Sequence, residues 1–255
     1  MSNIVKGMEK FIEYFKEYSD NYIIVGGTAA NIFLSEAALN IRVTKDIDMI
    51  IVAENLSLDF GRVFWNFVKD GNYASYISKD NKFHYYRFIN SCDNEFPHMI
   101  ELFSTKEKNI INENILFTPL FIDENISSLS AIILDSEYYK FLVSGKKVIN
   151  SVSVLDPIHL IAFKAKAHVD LMNRKKQNKF VNERDSKKHK NDIFRLIQLL
   201  NGNEIIDVPP QIRKDICDFL EIIKYDNIDV KALTNNSITY NEAIKIIKRI
   251  YKVWY

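Results

Sequence analysis

"YIIVGGTAANIFLSEAALNIRVTKDIDMIIVAEN", Tyr22 to Asn55, holds the pattern on which the fold turns. One β-rich apolar run stops at Gly26-Gly27, and a second, "DIDMIIV", is entered through Asp46 and Asp48. The chain has only seven glycines, so two in adjacent positions mark a turn with a special backbone demand. After that turn, "TAANIFLSEAAL" (28–39) predicts a helix with Thr28 as its cap. The N–H groups at the start of such a helix are open to a phosphate, and glycine lets the backbone approach it closely.

Strand periodicity puts Asp46 and Asp48 on one face, roughly 7 Å apart. Two carboxylates that close repel each other, and the apolar residues after them carry the strand into a core. A divalent cation removes that cost, and a D-x-D on one face holds Mg²⁺ through oxygen ligands. The plainer alternative is an exposed strand end bonded to Lys45, Arg42 or backbone. A phosphate turn followed about 20 residues later by an acidic pair favours the first reading, since a nucleoside triphosphate needs both halves. In "MIELF", Glu101 is the lone charge among Met99, Ile100, Leu102 and Phe103. A neighbouring strand carrying it would add a third carboxylate; otherwise it is an exposed residue on a half-solvated strand.

Further along the chain, "IVKGMEKFIEYFKEY" (4–18) predicts an opening amphipathic helix, and "LSLDFGRVFWNFVKDG" (56–71) another that ends at Gly71. "KFHYYRFIN" (82–90) and "HMIELFS" (98–104) read as strands, while "TPLFID" and "KKVINSVSVL" look extended. After Asp156-Pro157 the pattern is helical at about 157–175, 186–200, 209–224 and 240–253. The expected organisation is an α/β (α+β) core with a mixed sheet over 1–155 and a helical domain over 156–255.

With 47% apolar and 26% charged residues, the composition is that of a folded chain rather than a disordered one. No apolar run is long enough to span a membrane, and "MSNIVKGMEKF" lacks a signal-peptide core, so a cytoplasmic protein with no membrane partner is expected. Cys92 and Cys217 lie far apart without metal-ligand spacing, which suggests free thiols. The net charge is +1, yet "RKKQNKFVNERDSKKHK" (174–190) is strongly basic. It reads either as a solvated loop or as a docking surface for RNA. The five histidines show no ligand or triad spacing, and the aromatic residues of "HYYRF" (84–88) read as core before they read as base-stacking groups.

At "GGTAA" and "RVTKDIDMII" the sequence resembles the nucleotidyltransferases of the DNA polymerase β superfamily, and within them the AbiEii-type toxin family. That family's Lys-x-x-Ala helix and a later helix with an aspartate are similar to "LIAFKAKA", with Lys164, and "KHKNDIFRL", with Asp192. The chain departs from the family in having Asn191 where an arginine usually precedes the aspartate. The resemblance implies transfer of a nucleoside monophosphate from a nucleoside triphosphate to an acceptor hydroxyl, with two Mg²⁺ ions as cofactor. Asp46, Asp48 and Glu101 would be metal ligands, with Gly26, Gly27, Thr28 and Lys164 on the nucleotide. Asp192 would orient Lys164 or the nucleophile, or else pair with Lys188 one helical turn away. Lys164 itself would either face an anion in a cleft or snorkel to solvent, while Lys166 would sit at the surface. RNA such as tRNA would be the acceptor, and a cognate antitoxin the partner of a toxin. The alternatives are a catalytically idle nucleotide- or RNA-binding module of the same fold, and an antibiotic-type nucleotidyltransferase acting on a small molecule.

Overall fold

The computed structural model describes residues 5–75, 86–90, 93–103, 110–112, 115–117 and 136–254. The chain divides into two compact units, Met1–Asp156 and Pro157–Tyr255. The first is a mixed α/β sheet core and the second is largely helical. Among the described residues, no helix is long and apolar enough to cross a membrane.

In the first unit, α1 (Met8–Phe15) leads to β1 (Tyr22–Val25), α2 (Gly26–Glu36), β2 (Asp46–Ile51) and α3 (Leu58–Asp70). Then come β3 (Tyr73–Ser75), β4 (Tyr86–Asn90) and β5 (Met99–Phe103). A hairpin of β6 (Ile110–Asn112) and β7 (Ile115–Phe117) forms a sheet of its own. The unit closes with α4 (Ser136–Ser144), β8 (Lys146–Ile149) and β9 (Val152–Leu155). The main sheet has the order β3-β4-β5-β2-β1-β9-β8. β2 lies between β1, to which it is antiparallel, and β5, to which it is parallel.

The two faces of that sheet differ in kind. Tyr22 packs with Phe11, Phe15 and Phe60, and Phe88 packs with Phe64 and Trp65, so one face is closed by the aromatic residues of α1 and α3. Partners across a ladder share a face, so Ile24, Met49, Ile47 and Ile100 belong to that side. Asp46, Asp48, Glu101 and Arg87, each one residue out of phase, belong to the other. The alternation along "DIDMI" therefore anchors β2 in the core while presenting its two acids on the opposite side.

One sequence expectation shifts here. Helix α2 begins at Gly26, and Val25 in its cap position makes no side-chain cap. Thr28 thus lies inside the first turn, and its hydroxyl donates to the backbone oxygen of Asp46 at 2.6 Å. The "TPLFID" run (118–123) lies outside the described residues, whereas "KKVINSVSVL" forms the β8–β9 hairpin.

The second unit comprises α5 (Pro157–Lys176), α6 (Glu183–Ile197), α7 (Pro210–Ile223), α8 (Val230–Leu233) and α9 (Tyr240–Ile250). Helix α5 packs against both α6 and α7, which explains its two apolar stripes: Leu160, Ile161, Ala162, Ala165, Ala167 and Val169 are all buried. Cys217, in α7, is a free thiol, and Cys92 lies outside the described residues.

Candidate nucleotide site

The turn from β1 to α2 is made by one residue, Gly26, at φ +68°. A Cβ there would stand 1.9 Å from Oδ2 of Asp48, so the carboxylate rests directly against the glycine backbone. Only glycine allows both the left-handed conformation and that approach. A Cβ on Gly27 would meet the guanidinium Nη2 of Arg42 at 2.6 Å. Arg42 is fixed from behind by Asn31, whose Nδ2 donates to the Arg42 backbone oxygen at 2.6 Å and whose Oδ1 accepts from the Arg42 N–H at 3.3 Å. The glycine pair therefore has a carboxylate against one residue and a guanidinium against the next.

Asp46 and Asp48 are half-buried at the start of β2, where the Thr28 hydroxyl ties the strand to α2. Across the ladder, Asp48 is the partner of Glu101, and Glu101 is the partner of Arg87 on β4. The three side chains form a row across one face of the sheet. Glu101 is 7% exposed and accepts from Nε of Arg87 at 2.7 Å and from Nη2 at 2.5 Å. Among the described residues, no group of three or more His, Cys, Asp or Glu side chains is gathered for a metal. What the turn does offer is a carboxylate pair beside a glycine cradle. Such a set suits Mg²⁺, which commonly takes one or two carboxylates and fills its other positions with phosphate oxygens and water.

Within the helical unit, Lys164 and Asp192 come together at 2.8 Å, only 5% and 4% exposed respectively. Asp192 also accepts from Arg195 at 3.1 Å. The partner of Asp192 is therefore the lysine across the α5–α6 interface, not Lys188 along its own helix. Lys166 differs from its expected surface position. It is half-buried, 2.9 Å from Asp170 and 3.5 Å from the buried Asp215, as a counter-ion to two acids packed between helices. Two histidines also meet this interface. His168 places Nδ1 3.0 Å from the backbone oxygen of Ser186, and burial pushes its pKa down. Burial, followed by the charge of Lys164, pushes His189 down to about 3.

Sequence reading missed Arg87 as a site residue. Its signal was its place on a strand opposite Glu101, which is invisible until the pairing of β4 with β5 is known. Arg42 entered the sequence reading as a partner for the acidic pair and as part of the family-like pattern. Phe88, in the "HYYRF" run, is core, whereas His84 and Tyr85 lie outside the described residues.

No protein-family model matches the chain, and no curated protein matches it. The crystal structure of an antigenic nucleotidyltransferase-like protein from Paracoccidioides brasiliensis is similar over 91% of this chain and 94% of that one, with a TM-score of 0.45 and 11% sequence identity.

Proposed function

We propose that this chain is a Mg²⁺-dependent nucleotidyltransferase, moving a nucleoside monophosphate from a nucleoside triphosphate to an acceptor hydroxyl with release of pyrophosphate. The observation that carries the reading is the contact of Gly26 with Asp48, which puts a phosphate-type turn and a metal-type carboxylate at one point. Asp46 and Asp48 would hold the two cations, and Glu101 would share the one that acts on the acceptor hydroxyl. Bound Mg²⁺ would supply charge neutralisation on the phosphates and a lowered pKa at the acceptor hydroxyl. The first turn of α2 would add N–H groups without intrahelical partners, and Arg42 a cationic neighbour. Catalysis of this kind rests on positioning and charge stabilisation, so no covalent nucleophile is required. Lys164 is paired with Asp192 within the helical unit.

The acceptor we propose is RNA, at the basic segment 174–190. Phe180 there is 95% exposed, and Lys175, Lys176 and Lys179 beside it are exposed as well. An aromatic face among cations suits an unpaired nucleotide strand. A toxin role with a cognate antitoxin follows from the AbiEii-type resemblance at "GGTAA" and "RVTKDIDMII". The idle nucleotide-binding module is the second reading, and the engagement of Glu101 by Arg87 speaks for it.

Incubation with each labelled triphosphate, Mg²⁺ and total cellular RNA separates the two. Transfer of label that is abolished in the Asp46→Asn, Asp48→Asn double variant is expected. Nucleotide binding without any transfer would favour the idle module, and transfer undiminished in the double variant would refute the assigned site.

A further inference from the structure

Arg87, Glu101 and Asp48 stand as successive cross-strand partners on β4, β5 and β2. Neighbouring strands lie only about 4.8 Å apart, so the two acids of this row are close enough to repel. Arg87 supplies the compensating charge from the far side. Its side chain is 31% exposed against 10% for that of Glu101, so the guanidinium reaches in from the wetter side of the pair. The two hydrogen bonds at 2.7 and 2.5 Å both fall on one oxygen, Oε1. The contact is therefore not the two-oxygen fork that makes arginine–carboxylate pairs hardest to separate.

We propose that Arg87 is a positioning residue that decides whether Glu101 joins the cation held by Asp46 and Asp48. With Glu101 engaged by Arg87, the site presents a carboxylate pair. Transfer of Glu101 from the guanidinium to the cation would make it a three-carboxylate site. The inference rests on the reading that Asp46 and Asp48 bind a divalent cation.

Mn²⁺ binding to the full chain, followed by the electron paramagnetic resonance signal of the free ion and without nucleotide, tests it. Arg87→Gln is expected to tighten Mn²⁺ about tenfold, because it unmasks one negative charge next to the site. Adding Glu101→Gln to that variant should cancel the gain, and Arg87→Lys should keep the wild-type affinity. Glu101→Gln alone leaves the Arg87 charge uncompensated beside the site and should weaken Mn²⁺ binding about tenfold. An unchanged affinity in that single variant would mean that the Arg87–Glu101 pair exerts no control over the cation, and would overturn the proposal even if Arg87→Gln failed to fold. So would an unchanged or weaker affinity in a folded Arg87→Gln. If the wild-type chain shows no Mn²⁺ binding that Asp46→Asn with Asp48→Asn removes, the underlying site reading fails instead.

Discussion

Gly26 and Gly27 are adjacent and chemically identical, yet the structure gives them different tolerances. A side chain at Gly26 meets a carboxylate carbon 3.0 Å away as well as its oxygen, and does so from a left-handed backbone. At Gly27 the obstruction is the far end of the Arg42 side chain, which can swing aside. Gly26→Ala is therefore expected to cost about 1–3 kcal/mol from backbone strain, with further destabilisation as Asp48 is displaced. Gly27→Ala should cost less and act mainly by moving Arg42. Urea denaturation of both variants checks the order, and a larger effect for Gly27→Ala would refute the contact geometry. Lys164 and Asp192 carry a related lesson at the same scale. A buried ion pair adds little net stability, but removing Asp192 strips Lys164 of its counter-charge, whereas Asp192 without Lys164 keeps Arg195.

At the scale of the element, β2 works because alternation and register agree. Ile47 and Met49 fall on the aromatic side, which leaves Asp46 and Asp48 together on the other. Helices α5 and α6 show the corresponding effect across a helix pair, where charged and imidazole side chains share an interface with aliphatic ones. The Nδ1 of His189 is buried there with no hydrogen-bond partner among the described residues. Its pKa, held at about 3 by burial and Lys164, lies below the ordinary 6.5. The unfolded chain thus binds a proton below pH 6.5 that the folded chain refuses, so stability falls as pH drops through the window from 6.5 toward 3. At pH 5 the loss from a group of this kind is on the order of 2 kcal/mol relative to pH 7.5. Urea midpoints at the two pH values measure it. His189→Phe should flatten the difference, and an identical slope in that variant would refute the assignment.

Across the whole molecule, net charge is nearly zero while 174–190 concentrates cations. Lys190 is already committed, paired with Asp226, whereas the Lys175–Glu183 contact at 3.3 Å is an exposed pair that a phosphate can displace. The exposed cations beside Phe180 are the ones that would meet phosphates. Replacing Lys175, Lys176 and Lys179 by glutamine should weaken binding of single-stranded RNA and reduce its salt dependence, by about 0.7 in log–log slope for each phosphate no longer neutralised. Phe180→Ala should weaken it by about 1–3 kcal/mol with the salt slope unchanged, as expected when base stacking is removed. Filter binding across a salt series distinguishes the two, and a salt-insensitive affinity in the wild type would refute an RNA surface here.

Much of this was readable from the linear chain, for a physical reason. Strand alternation, a glycine pair at the end of an apolar run and a Pro-led helix are local patterns whose conformational consequences play out within a few residues. They determined the β–turn–α–β opening, the common face of Asp46 and Asp48, and the mixed core followed by helices. Thr28 was misread locally because a single left-handed glycine starts the helix two residues early. Tertiary structure decided everything that depends on pairing between distant segments. It set Glu101 opposite Asp48, put Arg87 on Glu101, and turned Asp192 toward Lys164 rather than Lys188. Strand register and helix facing arise from packing summed over whole elements, so no single residue carries their signature.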